Sequence, residues 1–207
     1  MNTVVYTIYP SSPNEKTLEE VAFALAQGAL MIYPTDTVYA LGCLSDNAKA
    51  LSKFEQLRGI KVAKAPLSFL FASIGDISNY IKPFDSSVFR LLKRTLPGPY
   101  AFIMEATTRL PKPFQKRKSI GVRISANPIL QALLPRLSSP LITASLHDKD
   151  ALRVYPSDPE EILAQWDGMV DVFIDGGQGG NIPSTVVDLT QSPYTLIREG
   201  KGSVDVL

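Results

Sequence analysis

Short apolar runs alternate with amphipathic segments along this chain of 207 residues, and that alternation limits the possible folds more than any other feature. Strands interleaved with helices are typical of an α/β sandwich. The predicted strands are 4–9, 30–34, 67–71, 99–105, 119–125, 141–145, 171–175, 184–190 and 195–199. Because the fourth and fifth runs, and the last two, are close in sequence, some pairing should be antiparallel. We therefore predict one domain, 1–207, built on a twisted mixed parallel/antiparallel sheet with helices on its faces.

Polar residues in front of the amphipathic segments predict where helices begin. Thr17 and Glu20 have the spacing of a capping box, and apolar residues follow at helical spacing. Asp46 is a candidate cap for a second helix. Asn127 followed by Pro128 predicts the start of another.

The scarcity of cysteine and histidine excludes several kinds of site. Cys43 is the one cysteine and His147 the one histidine, so neither an internal disulfide nor a Cys/His zinc site can form. A histidine-dependent triad is disfavoured for the same reason, and we expect no side-chain nucleophile and no metal site. The sequence shows no signal peptide and no long apolar span, which predicts a soluble cytoplasmic protein without membrane contact.

The charges are balanced in number but unevenly placed. Lys and Arg number 21 against 20 Asp and Glu, yet no acid occurs from 106 to 147. That acid-free segment predicts a positive surface or cleft for phosphate or nucleic acid. The alternative is a solvated turn formed by Lys116, Arg117 and Lys118. The residues that could contact RNA are Arg109, Lys112, Lys116, Arg117 and Lys118.

Three segments combine strand character with polar side chains. In 33–42 a strand runs through a proline into Thr35 and Asp36, at a position where α/β sheets bind ligands; a capped turn is the alternative. Arg123 lies inside an apolar strand and shares a face with Ser119. Its planar fork suits a carboxylate or phosphate, and an ion pair within the fold is the alternative. Thr143 and Ser145 share a face of another strand.

Together these segments resemble the YrdC/YciO family. The matching pieces come in family order from residue 30 to 200: YPTDTVYALGC, LRGIKVAKAPL, TLPGPYAFI, SIGVRIS followed by NP, PLITAS, PSTVVDL and LIREG. They give a motif-bearing core of about 14–200. The resemblance implies a twisted mixed sheet around a large basic cavity.

Members of that family join ATP, L-threonine and bicarbonate into L-threonylcarbamoyl-adenylate and release pyrophosphate. Partner proteins then transfer the threonylcarbamoyl group to an adenosine of tRNAs that read codons starting with A, and some members are described as binding double-stranded RNA. The resemblance thus implies a nucleotidyltransferase acting in tRNA modification, with Mg²⁺ held through the phosphates of ATP.

The resemblance also implies roles for individual residues. Thr35, Arg123 and Ser184 correspond to threonine-binding positions. Positions for the nucleotide and its phosphates are Arg58, Lys61, Lys64, Ser119, Thr143, Ser145 and Arg198.

Some motif positions depart from the family pattern. Ile60 replaces the second basic residue of the KxR motif, Ala65 is an apparent insertion, and His147 replaces the asparagine of the SxN motif. These changes place the chain nearer the YciO branch. Two functions stay open: a threonylcarbamoyl-adenylate synthase, or a nucleotide- or double-stranded-RNA-binding protein with weak or no synthase activity.

Overall fold

The computed structural model describes residues 2–146 and 155–207, and within them ten strands form one sheet. The strands are β1 Val4–Thr7, β2 Met31–Tyr33, β3 Ala40–Leu44, β4 Ser68–Leu70, β5 Tyr100–Glu105, β6 Ser119–Arg123, β7 Leu141–Ser145, β8 Val172–Asp175, β9 Thr185–Asp188 and β10 Thr195–Arg198. The α-helices are α1 Glu15–Ala26, α2 Ala48–Arg58, α3 Ile74–Ile77, α4 Ser86–Thr95, α5 Pro128–Leu133 and α6 Pro159–Trp166. Short 3₁₀ helices span Phe114–Lys116, Leu134–Arg136 and Val204–Val206.

The strand order is β1-β8-β2-β3-β7-β4-β6-β5-β9-β10, and the pairing is mixed as predicted. The pairs β1/β8, β2/β8, β4/β6 and β5/β9 are parallel. The predicted antiparallel pairs β5/β6 and β9/β10 are confirmed. β3 is not among the strands that the sequence predicts, because its run contains Gly42 and follows directly on a polar turn. It pairs antiparallel with both β2 and β7, and it thereby holds that turn at the centre of the sheet.

Two of the predicted helix starts are wrong by one to three residues. α1 is capped by Asn14, whose Oδ1 accepts from the backbone N–H of Thr17 at 3.1 Å. α2 is capped by Asn47 rather than Asp46, whose carboxylate instead accepts from a serine hydroxyl in a distant loop. Both sequences offer two cap-forming residues close together, and tertiary contacts decide between them. The start of α5 at Asn127 is confirmed.

The two faces of the sheet are covered to different extents. One face packs under α2 and α4, where Leu41, Phe69, Phe102 and other alternate strand residues form the larger apolar core. The opposite face meets α1 and α5 only over part of its area, in a smaller core that includes Leu141. The uncovered part of this second face remains available for a site. No helix within the described residues is long and apolar enough to cross a bilayer.

Candidate functional site

Small side chains lie side by side across the uncovered part of the sheet. Gly42 of β3 pairs with Thr143 of β7, which pairs with Ser68 of β4, which pairs with Gly121 of β6, so all four share one face. A Cβ added to Gly121 would lie 2.6 Å from Ser68 Oγ, and one added to Gly42 would lie 2.8 Å from the hydroxyl of Tyr33. Larger side chains do not fit there. A cavity of about 420 Å³ lies over Ser68, Gly121 and Thr143.

The walls of this cavity are positively charged. Arg117, Arg123 and Arg198 line it, and no carboxylate does so among the described residues. Hydroxyl groups supply the other polar side chains of the lining, from Ser68, Ser119, Thr143, Ser145 and Ser184. Guanidinium and hydroxyl groups donate hydrogen bonds to carboxylate and phosphate oxygens, so the cavity suits an anionic ligand.

Arg123 is buried at the end of β6 and forms the ion pair that the sequence left as an alternative. Its Nη2 lies 3.3 Å from Asp36 Oδ1 and donates to Thr37 Oγ1 at 3.2 Å. Burial lowers the pKa of the guanidinium, and the nearby Asp36 carboxylate opposes that shift. The pair uses one nitrogen, and Arg123 Nε has no hydrogen-bond partner among the described residues. Because Nε is itself buried, the donor capacity left for a ligand lies at the terminal nitrogens of the guanidinium.

Asp36 is also held by Ser125, which does not line the cavity. Its Oδ1 also accepts from Ser125 Oγ at 2.7 Å, and its backbone N–H donates to that oxygen at 3.2 Å. Its Oδ2 is buried and has no partner in the described part of the chain. A buried carboxylate held on one oxygen orients Arg123 while leaving the local charge only partly compensated.

A chain of hydroxyl groups leads from Thr35 through Thr37 to the cavity. Thr35 Oγ1 donates to the carbonyl of Val38 at 2.7 Å and accepts from the N–H of Thr37 at 3.1 Å. Thr37 Oγ1 lies 3.5 Å from Ser184 Oγ, which is at the cavity wall. Thr35 itself lies behind that wall, so it supports the Thr37 and Ser184 hydroxyls from behind.

The end of the chain closes one side of the site. Arg198 on β10 donates through Nε and Nη2 to the carbonyl of Ser184, at 3.1 and 2.8 Å. Three residues later, Lys201 Nζ donates to the carbonyl of Asp36 at 2.6 Å. These bonds tie β9 and β10 to the turn between β2 and β3.

The predicted phosphate-binding residues of 58–64 do not line the cavity. Arg58 is half-buried, and burial lowers its pKa. Lys61 pairs with Glu55 at 2.8 Å, and Lys64 is exposed. Arg117 connects their loop to the cavity wall, because its Nη2 donates to the carbonyls of the neighbouring residues 62 and 65. Arg58 thus lies at the end of α2, and Lys61 and Lys64 lie on the loop that leads from it to the cavity wall at Pro66 and Leu67.

The five residues predicted to contact RNA divide into two groups. Arg109, Lys112, Lys116 and Lys118 are exposed. Arg117 turns inward, where its guanidinium also lies 5.5 Å from the ring of Phe114. Two of the three cations at 116–118 are therefore solvated, as the alternative interpretation predicts, and Arg117 is not.

Several residues at the site carry no role in the sequence prediction. Asp36 lies in the YPTDTVYALGC motif. Ser125 follows Arg123 by two residues and therefore lies on the same face of the predicted strand, so the sequence offered a local indication for both residues. Lys201 had none, because its contact joins segments 165 residues apart. His147, the altered SxN position, lies outside the described residues.

Fold and site together define a mixed-sheet α/β protein with an arginine-lined cavity on one face. The chain belongs to the Sua5/YciO/YrdC family, since that family's model, described as "Telomere recombination", matches residues 23–200. The resemblance seen in the sequence motifs is thereby confirmed.

The relatives fall into two groups. An uncharacterized protein YciO from Escherichia coli K12 is 34% identical over 201 residues, which is 96% of each chain, and the E. coli YciO crystal structure matches with a TM-score of 0.89 over 99% of this chain and 98% of that one. The human threonylcarbamoyl-AMP synthase is 31% identical, covering 89% of this chain and 67% of its own length. The Pyrococcus abyssi Sua5 structure complexed with L-threonine matches at 25% identity with a TM-score of 0.85, over 96% of this chain and 58% of that one.

Proposed function

We propose that the cavity binds ATP and L-threonine and that the protein makes L-threonylcarbamoyl-adenylate. The observation that carries the proposal is Arg123, a guanidinium that lines the cavity and bonds to the described residues through Nη2 alone. A ligand carboxylate would complete its hydrogen bonds. Support also comes from the threonylcarbamoyl-AMP synthases among the relatives and from the Sua5 structure complexed with L-threonine.

The threonine site would lie between Arg123 and Ser184. The α-carboxylate would accept from the guanidinium, while the Ser184 hydroxyl, with Thr37 3.5 Å behind it, would bond a second polar group of the amino acid. Thr35 would act through Thr37 rather than by direct contact.

The nucleotide would extend along the hydroxyl row of β6 and β7. Ser119, Thr143 and Ser145 line that side, and Arg117 and Arg198 offer charge to phosphates. Arg58, Lys61 and Lys64 would reach the β- and γ-phosphates from the end of α2 and the loop that follows it. Mg²⁺ would be held mainly by the phosphate oxygens and water, because no carboxylate lines the described wall.

The reaction would depend on positioning and charge. The threonine ammonium first loses a proton, and the free amine then bonds to the carbon of bicarbonate while one water leaves, which gives a carbamate. A carbamate oxygen then bonds to the α-phosphorus of ATP as the bond from that phosphorus to the bridging oxygen breaks, and pyrophosphate leaves with the electron pair. Arginine side chains stabilise the charge that develops on the phosphates. The product would supply tRNA modification through partner proteins.

A second candidate function is nucleotide or double-stranded-RNA binding without efficient synthesis. It is favoured by the 58–64 segment, where Ile60 replaces a cation and the Lys61 ammonium is already paired with Glu55. Four exposed cations, Arg109, Lys112, Lys116 and Lys118, would then contact RNA phosphates, with affinity that falls steeply as salt rises.

Two assays, of pyrophosphate release and of RNA affinity, distinguish the two functions. Pyrophosphate release from ATP is measured with threonine and bicarbonate together and with each omitted, and RNA affinity is measured across salt concentrations. The synthase requires release that depends on both co-substrates. ATP binding with no release, together with salt-dependent RNA binding, would favour the second function instead.

A further inference from the structure

The two edges of the sheet are built differently. β10, at one edge, contains Arg198, has a register shift beside Leu196 and follows Pro193. Charge, irregular register and proline are the usual devices that prevent an edge from pairing with another strand. β1, at the other edge, pairs with β8 in regular register and contains no charge and no proline within the strand, although Pro10 and Pro13 follow it; residues 2–14 contain no charged side chain.

The backbone of β1 is available for pairing at alternate residues. Val4 and Ile8 donate to carbonyls of the β8 segment, at 2.9 and 2.8 Å. In a parallel pair the alternate residues turn their N–H and C=O groups the other way, so those of Val5 and Thr7 point out of the sheet. Val4 and Val5 are 50% and 45% exposed, so apolar surface accompanies these groups on both faces.

An apolar groove runs beside β1, and its two ends differ in charge. Val4, Tyr6 and Phe23 line it, with Phe23 67% exposed. Lys49 lines the groove at the end where α1 stops, and its Nζ is 3.5 Å from the carbonyl of Gln27. Glu20 also lines the groove, about two turns earlier on α1, and burial together with this carboxylate raises the pKa of Tyr6.

We propose that β1 is the dimer interface, where a second copy of this chain adds its own β1 antiparallel across a twofold axis. Antiparallel strands reverse the groove, so Glu20 of one copy faces Lys49 of the other. This charge complementarity favours a second copy over an unrelated strand. With Tyr6 opposite Tyr6, the outward groups of Val5 meet those of Thr7 and make four backbone hydrogen bonds. The two sheets then form one continuous sheet.

Sedimentation equilibrium across micromolar concentrations tests this interface on the full chain. The wild type is expected to be a dimer, and hydrogen exchange at the amides of Val5 and Thr7 should slow as concentration rises. Val5→Pro removes an outward donor and should raise the dissociation constant at least about tenfold. Val5→Ala is the matched control, since it shortens the same side chain but keeps the N–H.

A charge exchange makes the test independent of strand folding. Glu20→Lys and Lys49→Glu should each weaken the dimer, and the double variant should restore it. A wild type that stays monomeric would overturn the proposal, and so would a dimer that Val5→Pro and both charge variants leave unchanged. If Val5→Pro lowers the melting temperature, the charge pair alone decides, because neither side chain belongs to a strand.

Discussion

At the scale of single residues, Arg123 and Asp36 determine what the cavity can bind. Their side chains are 7% and 9% exposed, so each depends on the other for charge compensation. Each nevertheless keeps one buried polar atom without a partner among the described residues. Removing either residue affects stability as well as binding, and experiments must measure both.

Arg123→Lys separates the charge from the guanidinium fork. A lysine keeps a cation near Asp36 but cannot reproduce the planar donors, so we expect the threonine KM to rise about 30-fold, or roughly 2 kcal/mol, with the KM for ATP little changed. Arg123→Ala should instead unfold more easily by about 3–5 kcal/mol, because it leaves a buried carboxylate unpaired.

Steady-state kinetics and thermal unfolding on the same preparations check this prediction. Arg90→Lys, on the exposed side of α4, is the control and should match the wild type in both measurements. An unchanged threonine KM in Arg123→Lys would mean that the arginine only stabilises the fold.

Asp36→Asn tests the pair from the other side. The amide still accepts from Ser125, but Arg123 becomes a buried cation without a counter-charge, so the free protein should lose about 3 kcal/mol of unfolding free energy. A bound carboxylate restores a counter-charge. Threonine should therefore raise the melting temperature more in Asp36→Asn than in the wild type, whereas Asp167→Asn, at an exposed acid, should behave as wild type. Equal shifts in all three proteins would contradict the proposed carboxylate site.

The sequence predicted part of this site. Arg123 was marked by its position in an apolar strand, and strand parity placed Ser119 on its face. The sequence could not decide whether Arg123 binds a ligand or pairs with an acid of the fold. Asp36 lies 87 residues away along the chain and approaches Arg123 only once β3 has formed. The inward turn of Arg117 was also not predictable, since its acceptors are backbone carbonyls 52 and 55 residues away.

At the scale of elements, local patterns predicted the strands better than the helix ends. Nine of the ten strands coincide with apolar runs, because buried strands have a strong composition signal. β3 was missed because it continues directly from the polar turn that holds Thr35 and Asp36. Helix caps depended on contacts between elements, as Asn47 illustrates.

Asn47→Ala should lower the free energy of unfolding by about 1–2 kcal/mol. Asn47 Oδ1 caps α2 at the N–H of Ala50, 3.1 Å away, and its Nδ2 donates to the carbonyl of Ala26 at the end of α1, 3.0 Å away. Denaturant unfolding measures the change. Gln56→Ala, on the exposed face of the same helix, should stay within about 0.5 kcal/mol of the wild type. Equal effects of the two substitutions would contradict the capping role.

At the scale of the whole molecule, the sheet carries a larger apolar core on one face and a smaller one on the other. The larger core buries Cys43, whose pKa rises from 9.0 to about 12, and burial similarly raises the pKa of Tyr39 from 10.0 to about 12. Both groups keep their protons in the folded protein and lose them more easily in the unfolded chain. Stability is therefore fully present below about pH 9 and should fall as the pH rises toward 12.

Cys43→Ala should flatten this alkaline dependence. Each such group contributes a slope of up to about 1.4 kcal/mol per pH unit between its unfolded and folded pKa values, and the variant lacks one of them. Denaturant unfolding at several alkaline pH values gives the slope directly. Comparing slopes, not single values, removes the constant cost of the lost side chain. An identical slope in the variant would show that the thiol is not protected.

We place the chemistry in the cavity on the partly covered face of the sheet, and labelled bicarbonate tests this proposal. The purified protein is incubated with ATP, L-threonine and isotopically labelled bicarbonate, and the products are examined by mass spectrometry. We expect an adenylate that carries both the threonine and the labelled carbon and that forms together with pyrophosphate. Its amount should be greatly reduced in Arg123→Lys at limiting threonine. ATP that remains intact while still protecting the protein thermally would contradict synthesis, and would leave a nucleotide-binding protein in its place.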